Sequence, residues 1–464
     1  MYHARRAETY SGNRAVNALF KLFYCCAVPI PSFRLIGLVF LAGVLSVPRP
    51  LWSAIPAPHQ IEPALSLEDA VTMAVADNPG LAEMQARADA MAAVPSQAGS
   101  LADPMVSFTA LNFPVDTFSR DQEPMTQLSF GIEQALPFPG KLGLKERAAE
   151  FDADAASSNV EEVRLRLIRN VRQTWWQTFY LDRALETVSR NQDLLRQFVE
   201  IARTKYSVGE GLQQEVLLAQ VELSRLLDRQ VQLKGMRQMQ AARLNALLNR
   251  RAGTPVVLPV QVNEALARLK PETTLYAHAE NARPLLEQRR QELEAARTRR
   301  DFAERDRYPD FSVGAAYGFR QGENPDGSSR PDFASLRLGM SLPLYAGGKQ
   351  NKAVDQRTSE LLQKQYALQD EWNKVQAEIA AALADYRRAS EQVQLFETGI
   401  IPQARQTVAS MLSGYQVNKV DFLNLVRSQV TLYDYENQYW KSFSEARQAL
   451  ARLAAAVGGE VTDE

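Results

Sequence analysis

Between Pro139 and Pro255 the chain contains no proline, and from Lys141 to about Tyr206 its residues read as one uninterrupted helix. A proline would remove a backbone donor and clash with the turn before it, so a run without one can stay helical throughout. About 66 residues at roughly 1.5 Å each extend to ~100 Å, against about 11–12 residues in a mean globular helix. Helices of that length need neighbours along their whole course, which predicts a coiled-coil-like or tubular assembly. Ala, Gln, Arg, Leu and Glu dominate, with narrow apolar stripes and wide polar faces. The corresponding run in the second half is interrupted at Ile401-Pro402, where a kink or a fresh helix start is expected.

The long helices occur twice. Tyr206-Ser-Val-Gly-Glu-Gly and Tyr415-Gln-Val-Asn-Lys-Val each precede a second helical run, at an offset of 209. Asp103-Pro104 and Tyr308-Pro309 match at 205, and Gly140-Lys141 and Gly348-Lys349 at 208. Such long-range repetition marks duplication of a half-unit and not a short-period solenoid. The domain plan is a leader over 1–54 and two repeats, 55–265 and 266–464. The first holds a strand pair within 105–136 and long helices within 140–250; the second holds a strand pair within 310–344 and long helices within 347–457.

The strand pairs carry the functional signal. Leu128, Phe130 and Ile132 alternate with Gln127, Ser129, Gly131 and Glu133; Phe311 to Phe319, Leu336 to Leu342 and, more weakly, Val106 to Ala110 alternate in the same way. Period two puts the apolar side chains on one face and the small or polar ones on the other. The apolar face can pack on a core or meet lipid, and the glycine-rich face suits a water-filled lumen. The linking loops, 114–125 and 321–331, are polar and rich in Pro, Gly and Asp. Four strands cannot close a membrane barrel, for which about eight is the minimum, and lipid does not tolerate an open edge. The subunit must therefore oligomerise, and three copies would supply twelve strands and twelve long helices. The expected fold is mainly α with a small β part.

The first 54 residues read as a secretory leader: a basic lead, an apolar run from Leu35 to Val47, then small residues up to Ala54. The run is shorter than the ~20 residues of a spanning helix. The leader holds six basic residues and one acid; of the chain's 53 basic and 54 acidic residues it leaves 47 and 53, a net charge of -6. That balance does not suit a nucleic-acid partner. Both cysteines, Cys25 and Cys26, fall in the leader. Their adjacency invites a lipidation reading, but bulky Phe23 and Tyr24 precede them and the better apolar run follows them. Past the leader there is neither a disulfide framework nor a thiolate metal site.

At this point the pattern resembles the TolC-like outer-membrane efflux channels over about residues 64–459. The carrying segments are Leu65-Ser-Leu-Glu-Asp-Ala-Val with Asn78-Pro79 and Leu81, Glu133-Gln-Ala-Leu-Pro-Phe-Pro-Gly-Lys, Leu342-Pro-Leu-Tyr-Ala-Gly-Gly-Lys and the two tyrosine tips. The resemblance implies a homotrimer with a barrel in outer-membrane lipid and a periplasmic helical tunnel, docked through a periplasmic adaptor onto an inner-membrane pump. The Pro-Phe-Pro-Gly-Lys junction is similar to channels paired with heavy-metal or drug pumps. The family's gate narrows at tyrosine and acidic residues of the tips, which map to Tyr206 and Tyr415. Glu215 falls at one family carboxylate position and Leu218 at the next; the second half has Asn424 and Arg427 there, so the acid pair of some relatives is absent. Asp421, one turn earlier, is expected to supply a ring of three carboxylates, to cap the following helix, or both. The adaptor contacts would be Val208, Gly209, Glu210 and Gly211 in the first tip and Val417, Asn418 and Lys419 in the second.

No reactive constellation competes with that reading. The glycine-lysine pairs lack the first glycine and the Ser/Thr of a phosphate loop, so glycine easing a strand-to-helix turn is expected. Three scattered histidines, His3, His59 and His278, support no zinc spacing and no catalytic triad. Met73, Met84 and Met91 read as core filler and Trp175, Trp176, Trp372 and Trp440 as packing anchors. No cofactor and no enzymatic activity are expected. The alternatives are a protein-secretion exit duct and, in a different class, a periplasmic coiled-coil adaptor without a pore.

Overall fold

The computed structural model describes residues 64–462; the expected leader and both cysteines lie outside them. Helix α1 (Leu67–Asp77) starts where Ser66 Oγ accepts the Asp69 N–H at 3.0 Å. Helix α2 (Pro79–Ala92) starts where Asn78 Oδ1 accepts from Gly80 and Leu81 at 2.9 and 3.1 Å. Pro79 at its first position has no N–H to leave unpaired. A short α3 (Val94–Gly99) leads to strand β1 (Met105–Leu111), which a long loop joins to β2 (Gln127–Leu136).

Helix α4 (Lys141–Ser207) runs 67 residues and α5 (Gln213–Leu247) returns over 35. Along the lower part of α4 the buried residues Leu181, Val188, Leu195 and Ala202 recur every seven, as do Ala184, Asn191 and Phe198. That is the seam of a coiled coil, one knob per turn toward a partner helix. Asn191 in this seam accepts from Gln429 Nε2 at 2.6 Å, a buried polar pair of the kind that sets register. Midway, Trp175, Trp176, Phe179, Trp440 and Phe443 interlock edge-to-face and stacked, and Trp175 Nε1 donates to the Leu65 carbonyl at 3.1 Å. The tryptophans therefore anchor packing, with Trp372 against a second apolar cluster.

The second half follows with α6 (Glu272–Ala282), α7 (Pro284–Arg305), β3 (Phe311–Phe319), β4 (Phe333–Met340) and α8 (Gln350–Leu395). A π-turn over Phe396–Ile400 joins α8 to α9 (Ile401–Gln416), and α10 (Phe422–Val457) closes the half. The 46, 5 and 16 residues of α8, the π-turn and α9 together equal the 67 of α4. At Pro402 the helix does not stop. The widened turn just before it makes room for the ring and the missing donor.

The strands form one antiparallel sheet in the order β1-β2-β3-β4, with Phe108 opposite Phe130, Phe130 opposite Tyr317 and Ala315 opposite Leu336. Strand β4 ends at Met340, short of the expected Leu342: Ser341 still donates its N–H to the Asp310 carbonyl, but the Asp310 N–H turns to Ser341 Oγ at 2.9 Å, and Pro343 follows. The apolar face is covered by nothing among the described residues: Leu336 and Leu338 are 88% and 83% exposed, Phe108 69%. The opposite face is crowded. A Cβ at Gly131 would stand 2.9 Å from Ser107 Oγ, so glycine is what lets neighbouring side chains converge there. The two strand loops are tied by Arg330 Nη1, which donates to the Asp121 and Glu123 carbonyls at 2.9 and 3.1 Å.

Candidate gate and docking tip

Both helical hairpins turn in the same way. Gly209 and Asn418, 209 residues apart, hold φ of 79° and 58°. In each turn the residue after them donates its N–H five residues back, Glu210 to the Lys205 carbonyl at 2.9 Å and Lys419 to the Gly414 carbonyl at 2.8 Å. Gly209 and Asn418 themselves donate to the carbonyls of Tyr206 and Tyr415 at 3.1 and 3.2 Å. These paired bonds are Schellman ends, which require a left-handed residue that Gly supplies freely and Asn with little strain. The far ends of α5 and α10 repeat the device with Asn249 and Gly458, at φ of 53° and 81°.

The side chains on these matched turns differ. Tyr206 is 49% exposed, whereas Tyr415 is 3% exposed and its hydroxyl donates to Glu215 Oε2 at 3.0 Å. Its ring lies against Phe422 at 5.1 Å and beneath the Lys205 ammonium, 4.4 Å from the ring centre. Lys205 Nζ also donates to the Tyr415 carbonyl at 2.6 Å and to Asn418 Oδ1. Burial, with the Glu215 carboxylate as hydrogen-bond partner and neighbouring charge, pushes the Tyr415 hydroxyl well above the usual phenol range. The second hairpin is thus pinned to the first through one buried tyrosine, over an apolar cluster of Leu195, Phe198, Leu425 and Val426.

Of the residues singled out in the sequence, Glu215 and Tyr415 come together; Tyr206 stands apart from them, exposed. Asp421 occupies the cap position of α10, but its side chain makes no capping hydrogen bond. The turn is already closed by backbone bonds, including Asn424 N–H to the Asp421 carbonyl at 3.1 Å, and the carboxylate is exposed. Asn424 and Arg427 are exposed on the same helix, and Val208, Glu210, Val417, Asn418 and Lys419 form the exposed end of the turns, with Gly211 half-buried. Lys205 was missed. Its signal was present in the repeat, where the matching position is Gly414.

Two clusters hold the upper part of the molecule. Lys141, 3% exposed, donates to Asp306 Oδ1, the Tyr308 carbonyl and Asp310 Oδ1 at 3.0, 3.0 and 2.8 Å. Gly140 before it holds φ of 89°, in keeping with glycine easing the strand-to-helix turn. Arg283 and Glu162, both buried, form a two-pronged ion pair at 2.9 and 2.9 Å. Arg283 also donates to the Ala455 carbonyl at 2.5 Å. Among the described residues no group of three or more His, Cys, Asp or Glu could hold a metal ion. No helix there is long and apolar enough to cross a membrane.

An exposed apolar sheet face beside helices of ~100 Å defines the class. The model of the outer membrane efflux protein family matches residues 70–250 and 275–459, one stretch in each half, and the chain belongs to that family: it is an outer-membrane efflux channel protein. Among solved structures it is similar to the channel CusC (15% identity, TM-score 0.73, covering 86% of this chain and 93% of that one). It is likewise similar to the outer-membrane channel OprN (16%, 0.71, 85% and 90%) and to VceC of Vibrio cholerae (18%, 0.69, 85% and 96%). No curated protein matches the chain by sequence.

Proposed function

We propose that three copies close a twelve-stranded barrel in the outer membrane and continue it as a periplasmic helical tunnel, through which cargo driven by an inner-membrane pump leaves the cell. A periplasmic adaptor grips the exposed turns around Val208–Gly211 and Val417–Lys419, and the cargo is heavy-metal cations or small drugs. The observation that carries this reading is the open-edged four-stranded sheet whose apolar face nothing among the described residues covers. Lipid requires closure of such an edge. The Tyr415–Glu215 bond, with Lys205 above it, acts as the resting gate, holding the second hairpin inward. Asp421, Asn424 and Arg427 line the approach to it.

The test is growth of a deletion strain across metal salts, dyes, detergents and antibiotics. Hypersensitivity to copper, silver, zinc, cobalt or cadmium alone assigns metal export, and broad sensitivity to amphiphilic drugs assigns multidrug export. Normal growth on the whole panel would overturn the cargo assignment. A soluble periplasmic monomer on fractionation would overturn the channel.

A further inference from the structure

The two strand-to-helix junctions of the repeat are built from matching parts, and among the described residues only one finds its partner. After β2, Phe138 stacks on Tyr308 at 4.7 Å and its N–H donates to Asp310 Oδ1 at 2.8 Å. Lys141 then reaches the acceptors Asp306, Tyr308 and Asp310, which lie at the entry to β3, the strand paired with β2. After β4 the parts recur as Leu342-Pro343-Leu344-Tyr345 and Gly348-Lys349. Leu344 and Tyr345 are 80% and 81% exposed, and among the described residues no ion pair forms to the exposed Lys349. Among the described residues the outer edge of β4 is unpaired, and so is that of β1. Leu101 and Asp103 ahead of β1 and Met105 at its start are all exposed, and Asp103-Pro104 holds the repeat position of Tyr308-Pro309.

We propose that Asp103 of a second copy is the counter-ion of Lys349, so that each seam between subunits repeats the β2–β3 junction found inside one. This rests on the trimeric reading above and adds to it a register and a polar clamp. In the seam, Leu101 and Met105 stand where Asp306 and Asp310 stand inside the subunit. The acid has moved to the residue between them, and two apolar side chains face the exposed Leu344 and Tyr345. Inside the chain Leu136 lies opposite Phe311. Carried through the repeat, that pairing sets Leu342 opposite Val106, Met340 opposite Phe108 and Leu338 opposite Ala110. Every pair then joins apolar face to apolar face, whereas a shift of one residue would set apolar against polar along the whole seam. Both edges run antiparallel in this arrangement, as the strand order demands.

The experiment uses the full chain in outer-membrane fractions, where the only cysteines of the sequence are Cys25 and Cys26. Met340→Cys with Phe108→Cys should give disulfide-linked species up to a trimer on a non-reducing gel, while Met340→Cys with Ser107→Cys should give none. Separately, Lys349→Asp and Asp103→Lys should each lower the temperature at which the trimer comes apart in SDS, and the double exchange should restore it. A double exchange as labile as the single variants, in protein that still cross-links through Met340→Cys and Phe108→Cys, would overturn the ion pair and leave the trimer standing. Cross-linking through Ser107→Cys instead would overturn the register. No cross-link in either pair, with a monomeric mass in detergent, would overturn the trimeric reading itself.

Discussion

Gly209 and Asn418 sit at one place in two hairpins and close them with the same pair of backbone bonds. Yet Tyr206 beside the first is half exposed and Tyr415 beside the second is buried. The difference comes from neighbours and not from the backbone. Lys205 covers Tyr415 and Glu215 receives its hydroxyl; at the repeat positions of those two, Gly414 has no side chain to lay over Tyr206 and Asn424, exposed, brings no charge. Duplication has kept the dihedral angles that a hairpin needs and released the side chains, and the release made one contact between hairpins out of what could have been two. The same division recurs at the upper end. Asn78 and Arg283 both precede a proline at a helix start and both donate across to a carbonyl near the end of the half's second long helix, Leu247 and Ala455. Only Arg283 brings a charge, and Glu162 is there to meet it.

That asymmetry can be broken most severely at Glu162. Glu162→Gln takes away the two-pronged anion of the buried Arg283 guanidinium and leaves it only Glu378 Oε2 at 3.6 Å, a loss of about 3 kcal/mol, the low end for a broken buried pair. Asn78→Ala in the first half removes a helix cap worth about 1 kcal/mol. Thermal unfolding followed by circular dichroism compares the two; equal losses would show that the halves are fastened alike. The far caps come next. A Cβ at Gly458 would meet the Ala282 carbonyl oxygen at 2.8 Å and the Arg283 Cα at 3.0 Å, all backbone, in a left-handed conformation. Gly458→Ala should therefore cost about 2–4 kcal/mol, whereas Asn249→Gly at the matching position should change stability by only a few tenths. A tolerant Gly458 would mean that α10 and α6 are less closely apposed than α5 and its surroundings.

At the tips the expected effect is smaller in energy but reads out as conductance. Tyr415→Phe deletes a hydrogen bond to a carboxylate, about 1.5 kcal/mol, which is roughly a tenfold change in a two-state opening equilibrium. Single channels in planar bilayers should open more often in Tyr415→Phe and stay as the parent in Tyr206→Phe. If both variants conduct alike, the buried tyrosine is a packing residue and the gate lies elsewhere, with Asp421→Asn and its effect on cation selectivity the next place to look.

Length and alternation were legible because each follows from a short-range rule. A proline-free run predicted α4 to within a residue of its end, and period two placed all four strands. The repeat was legible as a set of matched motifs, and the matched left-handed residues show why their identities vary: Gly and Asn answer the same backbone demand. What could not be read were contacts between distant segments. Nothing near Lys141 announces Asp306 and Asp310, since any of many surface acids could have met it. The Asp421 cap failed for a related reason: residue type favoured it, but the turn had already been closed by its own backbone bonds. The kink or fresh helix start expected at Ile401-Pro402 falls where α9 begins, but nothing in the sequence announced the widened turn over Phe396–Ile400 that joins it to α8.

The smallest expected effect separates the two junctions by pH. Burial works against charge at both Asp310 and Lys141, yet the ammonium of Lys141 and the Phe138 N–H outweigh it and hold the Asp310 carboxyl below its ordinary range. Asp310 and Asp306 likewise leave Lys141 above its own. A carboxyl depressed by folding contributes stability that is full above its unfolded pKa of about 3.9 and is lost as pH falls through the lower folded value. A raised lysine contributes stability that is full below about 10.4 and is lost as pH rises through the higher folded value. The β2–α4 junction should therefore be firm from about pH 4 to 10 and loosen at each extreme. Asp310→Asn should flatten the acid limb of a melting-temperature profile taken from pH 2 to 7, while Lys349→Gln should leave the melting of detergent-separated monomers unchanged across that range. A profile that Lys349→Gln alters in monomers would place a partner for that lysine inside its own chain, and the two junctions would then be alike.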